Sequence, residues 1–202
     1  MNVLGPDADP RLQRLRARLE SALPESALLP GAASHNHAQA AVSLVLRMRD
    51  EPDLLLIKRA RSEHDPWSGH MALPGGRRDD GDPSLVHTAV RETHEETGLR
   101  LDPGAVLGAL GPAKPGGPRL PRIVIAPFVF ATAPDSEAWV NSAEVESVLW
   151  VPVPLLRSPE ARGTTRIMAP GGPRSFPCFN VYGETVWGLT YRILADFLVR
   201  LP

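Results

Sequence analysis

From Leu73 to Leu99 the chain reads LPGGRRDDGDPSLVHTAVRETHEETGL, two adjacent glycines and a proline-marked turn leading into a helical run crowded with acid. Few folds accommodate that order. Gly75 and Gly76 open backbone conformations closed to other residues and let the chain approach a ligand with no side chain between. Asp82 is the expected N-cap, its carboxylate able to accept from unpaired first-turn N–H groups, and Pro83 suits the position after it. Gly98 marks the expected stop. Within those bounds Val86, Ala89, Val90 and Thr93 fall at helical spacing and are expected to meet a core, whereas Glu92, Glu95 and Glu96 stand at i, i+3 and i+4 on another face. Like charges that close destabilise an isolated helix by roughly 0.2–0.5 kcal/mol per pair, and Arg91 alone is too little to offset them. A solvated acidic face is one account of the cluster. The other is a hard divalent cation, since Mg²⁺ and Mn²⁺ take carboxylate, carbonyl and water oxygens.

Taken with the glycine loop, the pattern resembles the Nudix hydrolase signature, Gly-x5-Glu-x7-Arg-Glu-aliphatic-x-Glu-Glu-x-Gly-aliphatic. Gly76 opens it, Asp82 takes the first acidic position, and Arg91, Glu92, Glu95, Glu96, Gly98 and Leu99 match its second half. Two departures stand out: the spacer from Asp82 to Arg91 is one residue longer, and Thr93 occupies an aliphatic position. A longer spacer with Asp first is similar to the coenzyme A pyrophosphatase branch. Partial likeness to that branch extends over Leu54 to Gly76, where Leu55, Leu56, Arg59, Gly69 and Pro74-Gly75-Gly76 are kept. Ile57 replaces its Thr, His64 lies near its later Arg, and Leu73 replaces its Phe. Val186-Trp187-Gly188-Leu189-Thr190 is similar to the branch's C-terminal segment.

The resemblance, covering about Ala40 to Leu201, implies an α/β fold, the Nudix α/β/α sandwich with a mixed β-sheet. It implies a metal-dependent pyrophosphohydrolase acting on a nucleoside diphosphate derivative, coenzyme A or its thioesters first. Another nucleoside diphosphate derivative or a nucleoside triphosphate is the alternative, and a non-catalytic nucleotide sensor the alternative of another class. Glu92, Glu95, Glu96 and the Gly75 carbonyl are the candidate ligands for Mg²⁺ or Mn²⁺. Arg91 would orient a glutamate by ion pairing, and Glu95 is the first choice of base, with the geometry left to decide. Arg59, Gly76 and His70 are the candidate substrate contacts. Arg59 is favoured because a guanidinium meets phosphate oxygens with forked donors; Arg61 and His64 are weaker choices. Glu144 or Glu146, at the start of a late strand, is a candidate further metal ligand or base, with an ordinary surface carboxylate as the equal alternative.

The remaining segments supply a scaffold. Pro10 to Leu23 places Leu12, Leu15, Leu19 and Leu23 at helical spacing, an amphipathic helix expected to pack on the domain, with partner binding as the alternative. Pro24 to His37 reads as a linker, so residues 1–34 are expected to form a helix and linker ahead of a catalytic domain over 35–202. The His35-Asn36-His37 spacing is a poor metal signal. Ala40 to Met48 and Leu54 to Lys58 are expected to form a hairpin, and Ala105 to Leu110 and Ile123 to Thr132 further strands. Between the latter, Lys114, Arg119 and Arg122 lie on a Pro- and Gly-rich loop within possible reach of an anion. Pro170 to Pro177 reads as loop, Phe179 to Tyr182 and Thr185 to Trp187 as a short hairpin with its aromatics in the core, and Gly188 to Leu201 as a helix.

A net charge of -1 and pI near 6.6 give no electrostatic reason to expect nucleic acid or a membrane surface as partner. The single cysteine, Cys178, excludes an intrachain disulfide and a multi-cysteine zinc site, which suits a cytoplasmic location. Neither a signal peptide nor a run of eighteen apolar residues is apparent. Homodimers are frequent among the apparent relatives, so pairing of two copies is an open expectation beside the small-molecule substrate.

Overall fold

In the computed structural model, residues 9–19, 38–62, 67–116, 123–169 and 172–202 are described. His35, His37, His64, Arg119 and Arg122 lie outside them, as does the expected linker. The elements in chain order are α1 (Pro10–Leu19), β1 (Ala38–Arg47), β2 (Asp53–Arg59), β3 (Met71–Ala72), β4 (Gly75–Arg77), α2 (Leu85–Thr97), β5 (Val106–Ala109) and β6 (Ile123–Thr132). They continue with β7 (Val145–Pro152), α3 (Val153–Arg157), β8 (Arg162–Ala169), β9 (Gly172–Val181), β10 (Glu184–Trp187) and α4 (Gly188–Arg200).

Seven strands form a mixed sheet in which β3-β2-β1-β6-β5 run side by side, β4 pairs with β1 and β7 with β2. β1 and β6 are parallel over their whole length; the other pairs are antiparallel. The expected hairpin is present, with Leu46 opposite Leu54 and Arg47 opposite Asp53. Period-two alternation divides the core. Leu44 and Leu46 join Leu12, Leu15, Leu19, Phe179 and Phe197 on one side, while Ala41 joins Val86, Ala89, Phe128 and Phe130 on the side covered by α2. Helix α2 thus lies over β1, β4 and β6, and α1 and α4 close the other face. The sandwich expected from the sequence is the one observed. The leucine stripe of α1 is buried in the main core, the packing role expected for it. No described helix is long and apolar enough to cross a membrane.

Two expectations need correction. The N-cap of α2 is Ser84, whose Oγ accepts from the His87 N–H, and not Asp82. The Asp82 carboxylate is instead committed to Arg91, Thr88 and the Asp79 N–H, which leaves the first turn to Ser84. The second correction is that 172–177, read as loop, belongs to β9, which pairs with β8 from Ala169–Gly172 to Arg162–Phe179. Its prolines misled because a proline cannot donate to a ladder. Here Pro173 and Pro177 lie in the part of β9 that β10 does not reach, since β10 pairs only with Cys178 to Val181. A second sheet, β10-β9-β8, results.

Thr93, the residue in an aliphatic position, is fully buried but not unsatisfied. Its single hydroxyl proton is shared between the Ala89 carbonyl at 2.7 Å and Ser43 Oγ at 2.8 Å, and the Ser43 hydroxyl donates to Ala89 O at 3.1 Å. That pairing fixes the roll of α2 on β1, because rotating the helix would leave buried hydroxyls without partners. Gly98 ends the helix as expected, at φ 67° with its N–H on His94 O.

Candidate active site

The glycine turn sits where β4 crosses β1, with Gly75 opposite Val42 and Gly76 opposite Ala41. Gly75 has φ 150°, and a Cβ there would run into the Ala41 carbonyl and Val42. At Gly76 a Cβ would collide with the Glu92 carboxylate. The two glycines are therefore a cradle against which carboxylates of α2 are pressed.

Glu96 lies deepest, 5% exposed, and accepts a hydrogen bond from the Gly75 N–H at 2.9 Å. Burial pushes its pKa up to about 8; the Gly75 hydrogen bond and Arg59 oppose the rise, while the charges of Glu92 and Glu144 add to it. Glu92 is also pushed upward by burial, with Arg91 opposing. Glu95 differs from both. Its side chain is 53% exposed at the rim, held by Arg91 at 3.0 Å. The expected trio is thus divided into two inward carboxylates and one outward.

A pH dependence follows from Glu96 in the metal-free chain. Its folded pKa of about 8 lies above the ordinary 4.5, so the folded state binds the proton more tightly than the unfolded one. The resulting stability is fully present below pH 4.5 and is lost as pH rises towards 8, by on the order of a few kcal/mol. Urea unfolding of the metal-free protein at pH 5 and pH 8 measures it, with Glu96→Gln, which cannot ionise, removing this part of the slope.

Arg91 fastens the acidic side of the helix to the turn before it. Its Nε and Nη2 each donate to Asp82 at 3.0 Å, Nη2 also reaches the Arg77 carbonyl at 3.0 Å, and Nη1 lies 3.0 Å from both Glu92 and Glu95. Burial opposes ionisation of Asp82, yet the hydrogen bonds from Arg91, the Asp79 N–H and Thr88 hold its pKa down at about 2. Asp82 raises the Arg91 pKa in return. The extra residue between them does not break the motif, because the turn at Asp79 to Asp82 brings the carboxylate back over Arg91.

The other candidates surround this centre unevenly. Arg59, at the end of β2, donates its backbone N–H to the His70 carbonyl at 3.0 Å, and its charge is felt by Glu96. Glu144 accepts from the Ala60 N–H through its carbonyl at 2.8 Å and its charge also reaches Glu96. Glu146 does not join them. It pairs with Lys58 at 3.0 Å, and Lys58 pairs with Glu184 of β10 at 2.8 Å, a link between the two sheets. Arg61 and Lys114 are exposed. One contributor was missed from sequence: Asn141, whose Nδ2 donates to the His94 and Glu95 carbonyls at 3.1 and 3.3 Å while its N–H donates to Glu96 O at 3.1 Å. It holds the last turn of the glutamate-bearing helix from a loop distant in sequence. Nothing in an Asn between Val140 and Ser142 announces that role.

Among the described residues no three His, Cys, Asp or Glu side chains gather into a metal cluster on their own. The donors at the centre are Glu92, Glu96 and peptide groups of the glycine turn, all hard oxygen ligands. Burial, with neighbouring negative charge added to it, raises both carboxylate pKa values, and a divalent cation at these oxygens would offset both. This set fits Mg²⁺ or Mn²⁺, which keep several water or phosphate ligands and need few from the protein.

Residues 37–169 match the model of the NUDIX domain. The human protein named mitochondrial coenzyme A diphosphatase NUDT8 is 32% identical over 181 residues, 86% of this chain and 75% of that protein. A Schizosaccharomyces pombe protein is 39% identical over 120 residues, 57% of this chain but only 36% of its own length. A crystal structure of a MutT/nudix family protein from Enterococcus faecalis aligns over 96% of this chain and 73% of that one with a TM-score of 0.55 at 16% identity, a likeness of fold.

Proposed function

The chain belongs to the NUDIX domain family, and we propose that it is a metal-dependent pyrophosphohydrolase that cleaves nucleoside diphosphate derivatives, with coenzyme A or its thioesters as the substrate. The observation that carries the reading is the pair of inward carboxylates, Glu92 and Glu96, pressed on Gly75 and Gly76, where a hard cation and a diphosphate oxygen can share one site. Water attacks one phosphorus, the bridging P–O bond breaks, and the products from coenzyme A are adenosine 3',5'-bisphosphate and a phosphopantetheine. When bound, Mg²⁺ or Mn²⁺ would supply charge neutralisation and a more acidic water. Glu92, Glu96 and the Gly75 carbonyl would hold the ion. Arg91 keeps Glu92 and Glu95 in place, and Glu95, at the open rim, accepts the proton of the attacking water. Glu144 is the competing base. Arg59 faces the charge of the leaving diphosphate half. Coenzyme A is favoured by the Asp82 spacer and by the name of the human relative. One buried cysteine suits the cytoplasm as its place of work.

Product analysis by mass-resolved chromatography tests the substrate, offering coenzyme A, NADH, ADP-ribose, diadenosine polyphosphates and nucleoside triphosphates with Mg²⁺ or Mn²⁺. Coenzyme A is expected to be cleaved well above the others. A preference for another diphosphate discards the coenzyme A assignment and keeps the chemistry. Gly76→Ala is expected to lower turnover on the order of a hundredfold, because its methyl displaces the Glu92 carboxylate. Circular dichroism separates that displacement from unfolding: the fold is expected to be kept.

A further inference from the structure

The sequence places the aromatics of the last hairpin in the core, and for Phe179, 1% exposed and packed on Tyr191, that holds. Trp187 and Phe176 are different. Both are half-buried, and neither belongs to any of the three hydrophobic clusters among the described residues. Strand geometry explains why. Phe179, Val181 and Val186 point from the second sheet into the main core, so Phe176 and Cys178, and Trp187 opposite Cys178, project from its other face. Trp187 lies 5.4 Å from Phe176 between ring centroids and 5.0 Å, edge-on, from His70.

His70 ties this patch to the catalytic centre. Its carbonyl receives the Arg59 N–H, and Arg59 is the cation whose charge acts on Glu96. Gly75 follows it five positions along the chain, a span of at most about 18 Å. Strand β10 packs beside β3, and the Lys58 bridge to Glu184 fixes the second sheet there. The aromatic patch therefore adjoins the β2–β3 edge through His70, where Arg59 in turn acts on Glu96 in the carboxylate pair of α2.

Resting on the hydrolase reading above, we propose that Trp187, with Phe176 and His70 behind it, is the platform on which the heterocyclic base of the nucleotide stacks while Arg59 and the cation take its phosphates. Aromatic rings hold a base by its π-face, with a sequence-tolerant strength suited to this arrangement. Trp187 and Phe176 are thus specificity-determining residues, with no part in the bond cleavage. The alternative is packing alone, a wedge between the two sheets.

Equilibrium titration calorimetry with two ligands that cannot be cleaved separates these accounts: α,β-methylene-ADP, which carries a base, and methylenediphosphonate, which does not. With Mg²⁺ present, the unaltered protein is expected to bind the nucleotide analogue about tenfold or more tightly than methylenediphosphonate, the scale of one stacked base. Trp187→Leu removes that advantage and leaves methylenediphosphonate binding unchanged; Phe176→Leu reduces the advantage without touching the ring nearest His70. Equal affinity of the unaltered protein for the two ligands, an advantage intact in both variants, or parallel loss of both ligands in both variants overturns the platform. Failure of the unaltered protein to bind either ligand strikes at the diphosphate site itself, and the platform falls with it.

Discussion

Glu96→Gln is expected to lower turnover at least about a hundredfold, and to make the metal-free chain more stable at pH 8 than the unaltered one. The amide keeps the shape of the side chain and retains an oxygen to accept the Gly75 N–H, so the cradle persists. What it removes is the negative charge at the most buried point of the site, which the proposed chemistry needs and the apo fold resists. Losing a group that stabilises charge in a water-poor site costs on the order of a hundred- to a thousandfold in turnover. The two effects have opposite signs and one cause. Stopped assays with coenzyme A and thermal melting of the same preparations measure both; near-normal turnover would remove Glu96 from the metal site, and a lower melting temperature would contradict the burial argument.

Arg91→Ala is expected to be among the most destabilising single changes, by roughly 3–5 kcal/mol, because it leaves the buried Asp82 carboxylate without its counter-charge. Four acids, Asp79, Asp82, Glu92 and Glu95, lose their partner together, and Glu92 and Glu95 are released from the geometry they share with it. The Asp82 contribution has its own pH signature. Its folded pKa of about 2 lies below the ordinary 3.8, so the stability it brings is present above pH 3.8 and is lost as pH falls towards 2. Arg91→Lys restores charge but not the forked donation to Asp82 and Arg77, and is expected to recover only part of the loss. Urea denaturation at pH 7 measures the series, and Asp82→Asn in the Arg91→Ala background should recover stability by removing the stranded charge. Loss within 1 kcal/mol for Arg91→Ala would show that the ion pairs are solvated ornament.

The convergence of the candidate site residues was legible because they lie in one short segment with helical spacing. Gly75, Gly76, Arg91, Glu92 and Glu96 meet as the helical period and the glycine pair require. The same period could not separate Glu95 from its neighbours. All three glutamates share a helical face, and only the position of β4 decides which two are pressed inward. The cap was misplaced for a related reason: Asp82 has the chemistry of an N-cap, but Arg91, one helical turn and more away, competes for it and wins with two charged hydrogen bonds. Contacts between distant segments left no local trace, as with Asn141 on the α2 terminus and Lys58 bridging to Glu184. Strand β9 was hidden by prolines that are tolerated because β10 stops short of them, which leaves that part of the strand paired on the β8 side alone.

The measurement that bears most directly on the central claim is Mn²⁺ binding followed by electron paramagnetic resonance at pH 8, in the unaltered protein and in Glu96→Gln. The carboxylate pair on the glycine turn predicts saturable loss of the free Mn²⁺ signal with the unaltered protein, reversed by Mg²⁺, and an affinity at least tenfold weaker in the variant. Equal binding by the two proteins, or none by either, would contradict it.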